Sequence, residues 1–161
     1  MISFCDLFQT SPQMKILVAT SHADTLIEEV CVFLEPFNAT VDLSLYPGEH
    51  SQHLSPYLSK VDTIKDFNSP IRSATRDYET IILQDILHLH SLPLKLLQLV
   101  YRSLENSAEV IIIQKCGVME TSDVEALLEK SEFRAANTIG DLIEGYDVIV
   151  AKKMHMWGNG L

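Results

Sequence analysis

Between Tyr78 and Gly117, two short and largely apolar runs flank a stretch with helical spacing. Thr80 to Leu83 is the first run and Val110 to Ile113 the second, while Leu92 to Leu104 repeats leucine and valine at helical intervals. Short continuous apolar runs suit strands buried on both faces, and the helix between them supplies the crossover that parallel strands require. The segment therefore predicts a βαβ unit of a parallel sheet. Such sheets bind ligands beyond the carboxyl ends of their strands, which for the first run means Gln84 and Asp85.

The rest of the chain repeats the alternation. Lys15 to Ala19 is a short apolar strand, and Thr20-Ser21-His22-Ala23-Asp24 is a polar turn with several helix N-caps on offer. Leu26, Ile27, Val30, Phe33 and Leu34 keep helical spacing until Pro36 stops it. Ala39 to Leu45 alternates, with Val41, Leu43 and Leu45 on one face, and Pro47-Gly48 breaks it. Residues 49–60 suit a short helix or an irregular loop, Val61 to Ile64 a weak third strand, and residues 65–77 a loop. Thr121-Ser122-Asp123 introduces an amphipathic helix over Val124 to Ser131, with Val124, Leu127 and Leu128 inward. Phe133 to Ile139 and Tyr146 to Ala151 read as strands, and the short turn bracketed by Gly140 and Gly145 predicts an antiparallel hairpin. Together these elements predict an α/β protein: a three-layer α/β/α sandwich whose sheet is mostly parallel and ends in a C-terminal antiparallel hairpin.

One domain, residues 14–153, accounts for this pattern, with a leader at 1–13 and a tail at 154–161. Phe4, Leu7 and Phe8 form one apolar helical turn in the leader. The leader has neither a basic start nor a long apolar core, and no run approaches the ~20 apolar residues of a membrane-crossing helix. The net charge of −10 repels phosphate backbones and anionic lipid heads. Arg72 with Arg76 and Lys152 with Lys153 are only pairs, so neither nucleic acid nor a membrane is expected as a partner. Cys5, Cys31 and Cys116 are odd in number, far apart and without CxxC spacing, which suggests neither a zinc site nor a disulfide framework. Cys31 and Cys116 read as small core residues, and a reducing cytoplasm is the expected setting.

The second half resembles the class I S-adenosylmethionine-dependent methyltransferases. In that family a strand opening on Tyr-Asp or Phe-Asp leads into a phrase such as D-x-L-H; here Tyr78-Glu79 opens the strand and Asp85-Ile86-Leu87-His88 follows. Leu97, Val100-Tyr101 and Leu104 match the family's next helix, and Asn106-Ser107-Ala108 stands where its Pro-Gly-Gly turn is expected. Ser131-Glu132-Phe133 is similar to the A-G-F before the sixth strand, and Tyr146 to Lys153 to the antiparallel seventh strand. The resemblance covers residues 14 to 153 and implies a methyltransferase-like Rossmann fold. The family usually adds an N-terminal helical region or lid, for which the leader is too short.

The first half departs from that pattern. The family's first strand runs into G-x-G-x-G, whose glycines let backbone approach the methionine and ribose of the cofactor. Here the loop is Thr20-Ser21-His22-Ala23-Asp24, without glycine. The acidic residue that binds the ribose hydroxyls at the end of the second strand is replaced by Leu45, with Glu49 a few residues on. The acidic residue near the adenine amine is matched by Asp66. The cofactor-binding set implied by the resemblance is therefore Thr20, Ser21, His22, Asp24, Glu49, Asp66, Gln84 and Asp85.

Asp85 and His88 are the catalytic candidates, since this region faces substrate in an active family member and an imidazole with an ordinary pKa of about 6.5 suits a general base. The plainer reading has Asp85 capping the next turn and His88 partly buried. His22 reads as a ligand contact or an exposed loop residue. His50 and His53 lie three apart with Glu49 as the one close carboxylate, a poor donor set, and no metal is expected. The wide apolar face of the 92–104 helix, and the Met154-Met156-Trp157 tail, are the surfaces on which a protein partner or a second copy is expected to dock. Three readings follow: an atypical S-adenosylmethionine-dependent methyltransferase, a non-catalytic binding or assembly module on the same fold without cofactor, and a pocket kept for another small molecule such as a nucleotide.

Overall fold

A computed structural model of the chain describes Leu7, residues 9–50 and residues 57–154. Expectations for Phe4, Cys5, Phe8, His53, Met156 and Trp157 fall outside these residues. The elements are β1 (Lys15–Thr20), α1 (Thr25–Leu34), β2 (Thr40–Leu45), β3 (Leu58–Thr63), β4 (Tyr78–Gln84), α2 (Pro93–Ser103), β5 (Leu104–Lys115), α3 (Thr121–Lys130), β6 (Arg134–Ile139) and β7 (Tyr146–Lys152). The seven strands form one sheet in the order β3-β2-β1-β4-β5-β7-β6. β1 pairs parallel with both β2 and β4, β2 with β3, and β4 with β5. β7 runs antiparallel to β5 and β6. The chain goes outward from β1 in one direction and then returns to β4 on its other side. The topological switch point, where ligands bind in such sheets, is therefore the β1–β4 boundary.

Burial on both faces explains the continuous apolar runs at the centres of β1, β4 and β5. Ile16, Val18, Leu43 and Ile82 pack toward Ile27, Val30 and Leu34 of α1. Leu17, Leu83, Val110 and Ile112 pack on the other face with Leu97 and Val100 of α2 and Leu128 of α3. Fully burying each such side chain contributes roughly 1.5–3 kcal/mol. The three-layer arrangement and the C-terminal hairpin match the sequence reading. Leu7 packs half-buried against the α1-side core, and Glu109 accepts a hydrogen bond from the Gln9 backbone.

Local signals set the helix ends. Asp24 caps α1 by accepting from the Leu26 amide at 3.1 Å. Pro36 turns the chain into a short 3-10 turn, Glu35–Phe37, that ends on left-handed Asn38. α2 starts on Pro93. Just past its end, Lys153 Nζ donates to the carbonyl of Leu104, the first residue of β5, at 2.8 Å while standing 4.8 Å from the Tyr101 ring centroid.

Three sequence expectations are corrected. β3 begins at Leu58 rather than Val61, because the β2 edge supplies a hydrogen-bond ladder to a polar segment that has little strand character of its own. β5 begins directly after α2, and the expected turn at Asn106-Ser107-Ala108 is a bulge within it: the register with β4 shifts there, and Ser107 is left-handed at φ 68°. Cys116 is exposed, in contrast to buried Cys31. It lies one residue past β5, where its thiol reaches Asp147 Oδ1 at 3.5 Å. Among the described residues no helix is long and apolar enough to cross a membrane.

Candidate functional site

The carboxyl ends of β1, β2 and β4 converge on the loop Thr20–Asp24. Thr20 Oγ1 donates to Gln84 Oε1 at 3.1 Å and accepts from the His22 amide at 2.9 Å. Ser21 Oγ donates to the Asp85 carbonyl at 2.7 Å. These bonds tie the end of β1 to the end of β4 across the switch point, with Thr20, Ser21, Gln84 and Asp85 all buried. His22 Nε2 lies 3.5 Å from Asp24 Oδ2, both half-exposed at the mouth.

The loop after β2 closes the other side. A Cβ built on Gly48 would stand 1.8 Å from the Ser21 carbonyl oxygen, so the two loops are in backbone contact. The Ala23 amide donates to His50 Nδ1 at 2.9 Å, and His50 Nε2 donates to the Tyr46 carbonyl at 2.7 Å. The imidazole thereby bridges the end of β2 and the start of α1 through both ring nitrogens. His50 thus sits inside a loop bridge rather than in a metal donor set. Among the described residues no three histidine, cysteine or carboxylate groups are placed to hold a metal.

Tyr46 follows Leu45, where the family places its ribose-binding acid. Its ring is buried, stacks on Phe67 at 5.3 Å and meets His90 edge-on at 6.0 Å. Its hydroxyl donates to the Ser69 carbonyl at 2.8 Å. Burial, and secondarily Asp66, push the phenol well above its ordinary range. Asp66 is engaged in its own turn: Oδ1 accepts from Ser69 Oγ at 2.8 Å and the Asn68 amide at 3.0 Å, which holds the carboxyl below its usual range. Glu49 is exposed. Beyond β2 and β3 remains an open depression of about 400 Å³, lined by Tyr46, Gly48, His50, Ile64 and Lys65 among others.

Asp85 takes the left-handed conformation, φ 55°, directly past β4. Its Oδ1 accepts from the Lys115 amide at 3.3 Å, while Oδ2 is buried without a hydrogen-bond partner. Desolvation raises its carboxyl above the usual range, against the pull of the Lys115 amide and charge and of His88. His88 Nδ1 is likewise buried and unpartnered. Burial pushes that imidazole down, against the attraction of Asp85. The structure therefore brings Ser21, Gln84, Asp85 and His88 to one end of β4, and sets Glu49 and Asp66 on separate loops. Tyr46, Gly48 and His50 are the site residues that sequence reasoning missed. Pro47-Gly48 was legible only as a strand breaker.

No protein-family model and no curated protein sequence matches the chain. Solved structures do. An S-adenosylmethionine-dependent methyltransferase from Aquifex aeolicus superimposes with a TM-score of 0.68 at 15% identity, over 89% of this chain and 84% of the other. The CurJ carbon methyltransferase gives 0.70 at 12% identity, over 93% and 51%. Human N-acetylserotonin methyltransferase, solved with S-adenosylmethionine, gives 0.58 at 14% identity, over 87% and 48%. The chain spans about half the length of the last two. It has the class I S-adenosylmethionine-dependent methyltransferase-like fold.

The residues present do not fit the cofactor in the family's usual pose. The loop that should part around the methionine and ribose is in backbone contact with Gly48. At the positions that the resemblance assigns to the ribose-binding and adenine-side acids, Leu45 is followed by buried Tyr46, and Asp66 hydrogen-bonds within its own turn.

Proposed function

We propose that this chain is a non-catalytic binding or assembly module on the methyltransferase fold, whose cofactor crevice is closed. The observation that carries the reading is the seating of the Ser21 carbonyl against Gly48 while Ser21 Oγ bonds to Asp85 O. Opening the crevice would break the Ser21–Asp85 and Ala23–His50 hydrogen bonds, each worth about 1 kcal/mol net. It would also separate two packed backbones. Any ligand's affinity is reduced by the cost of that opening.

A second reading, an atypical methyltransferase, draws support from the unpartnered Asp85 Oδ2 and His88 Nδ1 at the end of β4, where that family works on substrate. Thermal melting of the full chain with millimolar S-adenosylhomocysteine separates the two. A bound ligand stabilises the native state by RT ln(1 + [L]/Kd). An unchanged melting temperature is the expected result, and a dose-dependent rise favours the second reading.

A further inference from the structure

Among the described residues β3 ends the sheet, and its outer edge carries Ser59-Lys60-Val61-Asp62-Thr63. Lys60 and Asp62 share one face, with Nζ and Oδ2 3.3 Å apart, and Val61 points to the other face and is 44% exposed. The bulge in the β2–β3 register falls at the start of β3 and leaves residues 60–63 regular. The opposite edge is blunted: in β6, Ala135 is left-handed at φ 58° and the register shifts between Arg134 and Asn137.

We propose that this open edge pairs with β3 of a second copy of the chain, antiparallel and about a two-fold axis at Val61. The charge order selects that arrangement. Turned about Val61, the strand sets Lys60 opposite Asp62 of the second copy and Asp62 opposite its Lys60, while the two exposed valines meet. An in-register parallel pairing sets lysine on lysine and aspartate on aspartate, which is unfavourable. The contact is isologous, closes at two copies and joins the two sheets into one. It is a different surface from the α2 face, and it does not depend on whether the crevice is closed.

Sedimentation of the full chain over a concentration series tests this, with far-ultraviolet circular dichroism confirming the fold of each variant. The wild type is expected to dimerise. Lys60→Asp should weaken the dimer about tenfold or more by placing like charges opposite each other. Lys60→Asp with Asp62→Lys restores the charge order and should restore the dimer, and Val61→Lys should abolish it. A monomer at every concentration overturns the proposal. So does a dimer unmoved by Lys60→Asp, or a double variant that stays as weak as the single one.

Discussion

The Ser21 carbonyl oxygen lies so close to Gly48 that a Cβ there would stand 1.8 Å away. Gly48 is not left-handed, so the demand for glycine is steric rather than conformational. Gly48→Ala should therefore destabilise the protein by about 3 kcal/mol through overpacking. Gly145→Ala is the control: it sits at φ 80° in open space and should cost only about 1–2 kcal/mol, from backbone strain. Urea denaturation of both variants measures the contrast. Equal losses would mean that the two loops are not in contact.

Asp85 couples the site to pH. Its carboxyl is raised above the ordinary range chiefly by burial, so the folded state holds this proton more tightly than the unfolded state. The stability this contributes is present at acid pH and lost as pH rises through the folded-state pKa. Asp85→Asn keeps an acceptor for the Lys115 amide and removes the buried charge. It should be more stable than wild type at pH 7 by roughly 1 kcal/mol, a gain that vanishes below pH about 4, where the aspartate is protonated in both states. His88, pushed down by burial, works the opposite way and makes acidification below about 6.5 destabilising in both proteins. Chemical denaturation across this range gives both slopes. A variant less stable than wild type at pH 7 would contradict the assignment.

Tyr78 and Asp42 form a buried pair across β4 and β2, with the phenol donating to Oδ2 at 2.7 Å. Lys15 Nζ stands over the same ring, 4.9 Å from its centroid. Tyr78→Phe keeps the ring and leaves Asp42 Oδ2 without this donor, at an expected cost of about 1–3 kcal/mol. A urea midpoint unchanged from wild type would show that the carboxylate finds another partner.

The β4–α2–β5 unit was legible because strands buried on both faces must be apolar, and a helix between two faces must show its period. β3 was half-legible: Leu58-Ser59-Lys60 becomes strand only because β2 offers a ladder, and no single-chain pattern reports an edge supplied by a neighbour. The bulge at Asn106-Ser107-Ala108 carries the same residue types as a turn, so the end of α2 and the start of β5 could not be told from a loop. In the site, the missing glycines of Thr20–Asp24 were visible. That Gly48 supplies the small residue from the opposite loop was not, nor that His50 turns to the Ala23 amide, 27 residues away. Those contacts follow from parallel strand order, which local patterns do not encode.

The closed crevice is tested most directly by isothermal titration of the full chain with S-adenosylmethionine. No saturable heat is the predicted result. Saturable binding with a Kd of roughly 100 μM or tighter, about −5.5 kcal/mol, would contradict it, because the Ser21–Gly48 contact would then have to open at little cost.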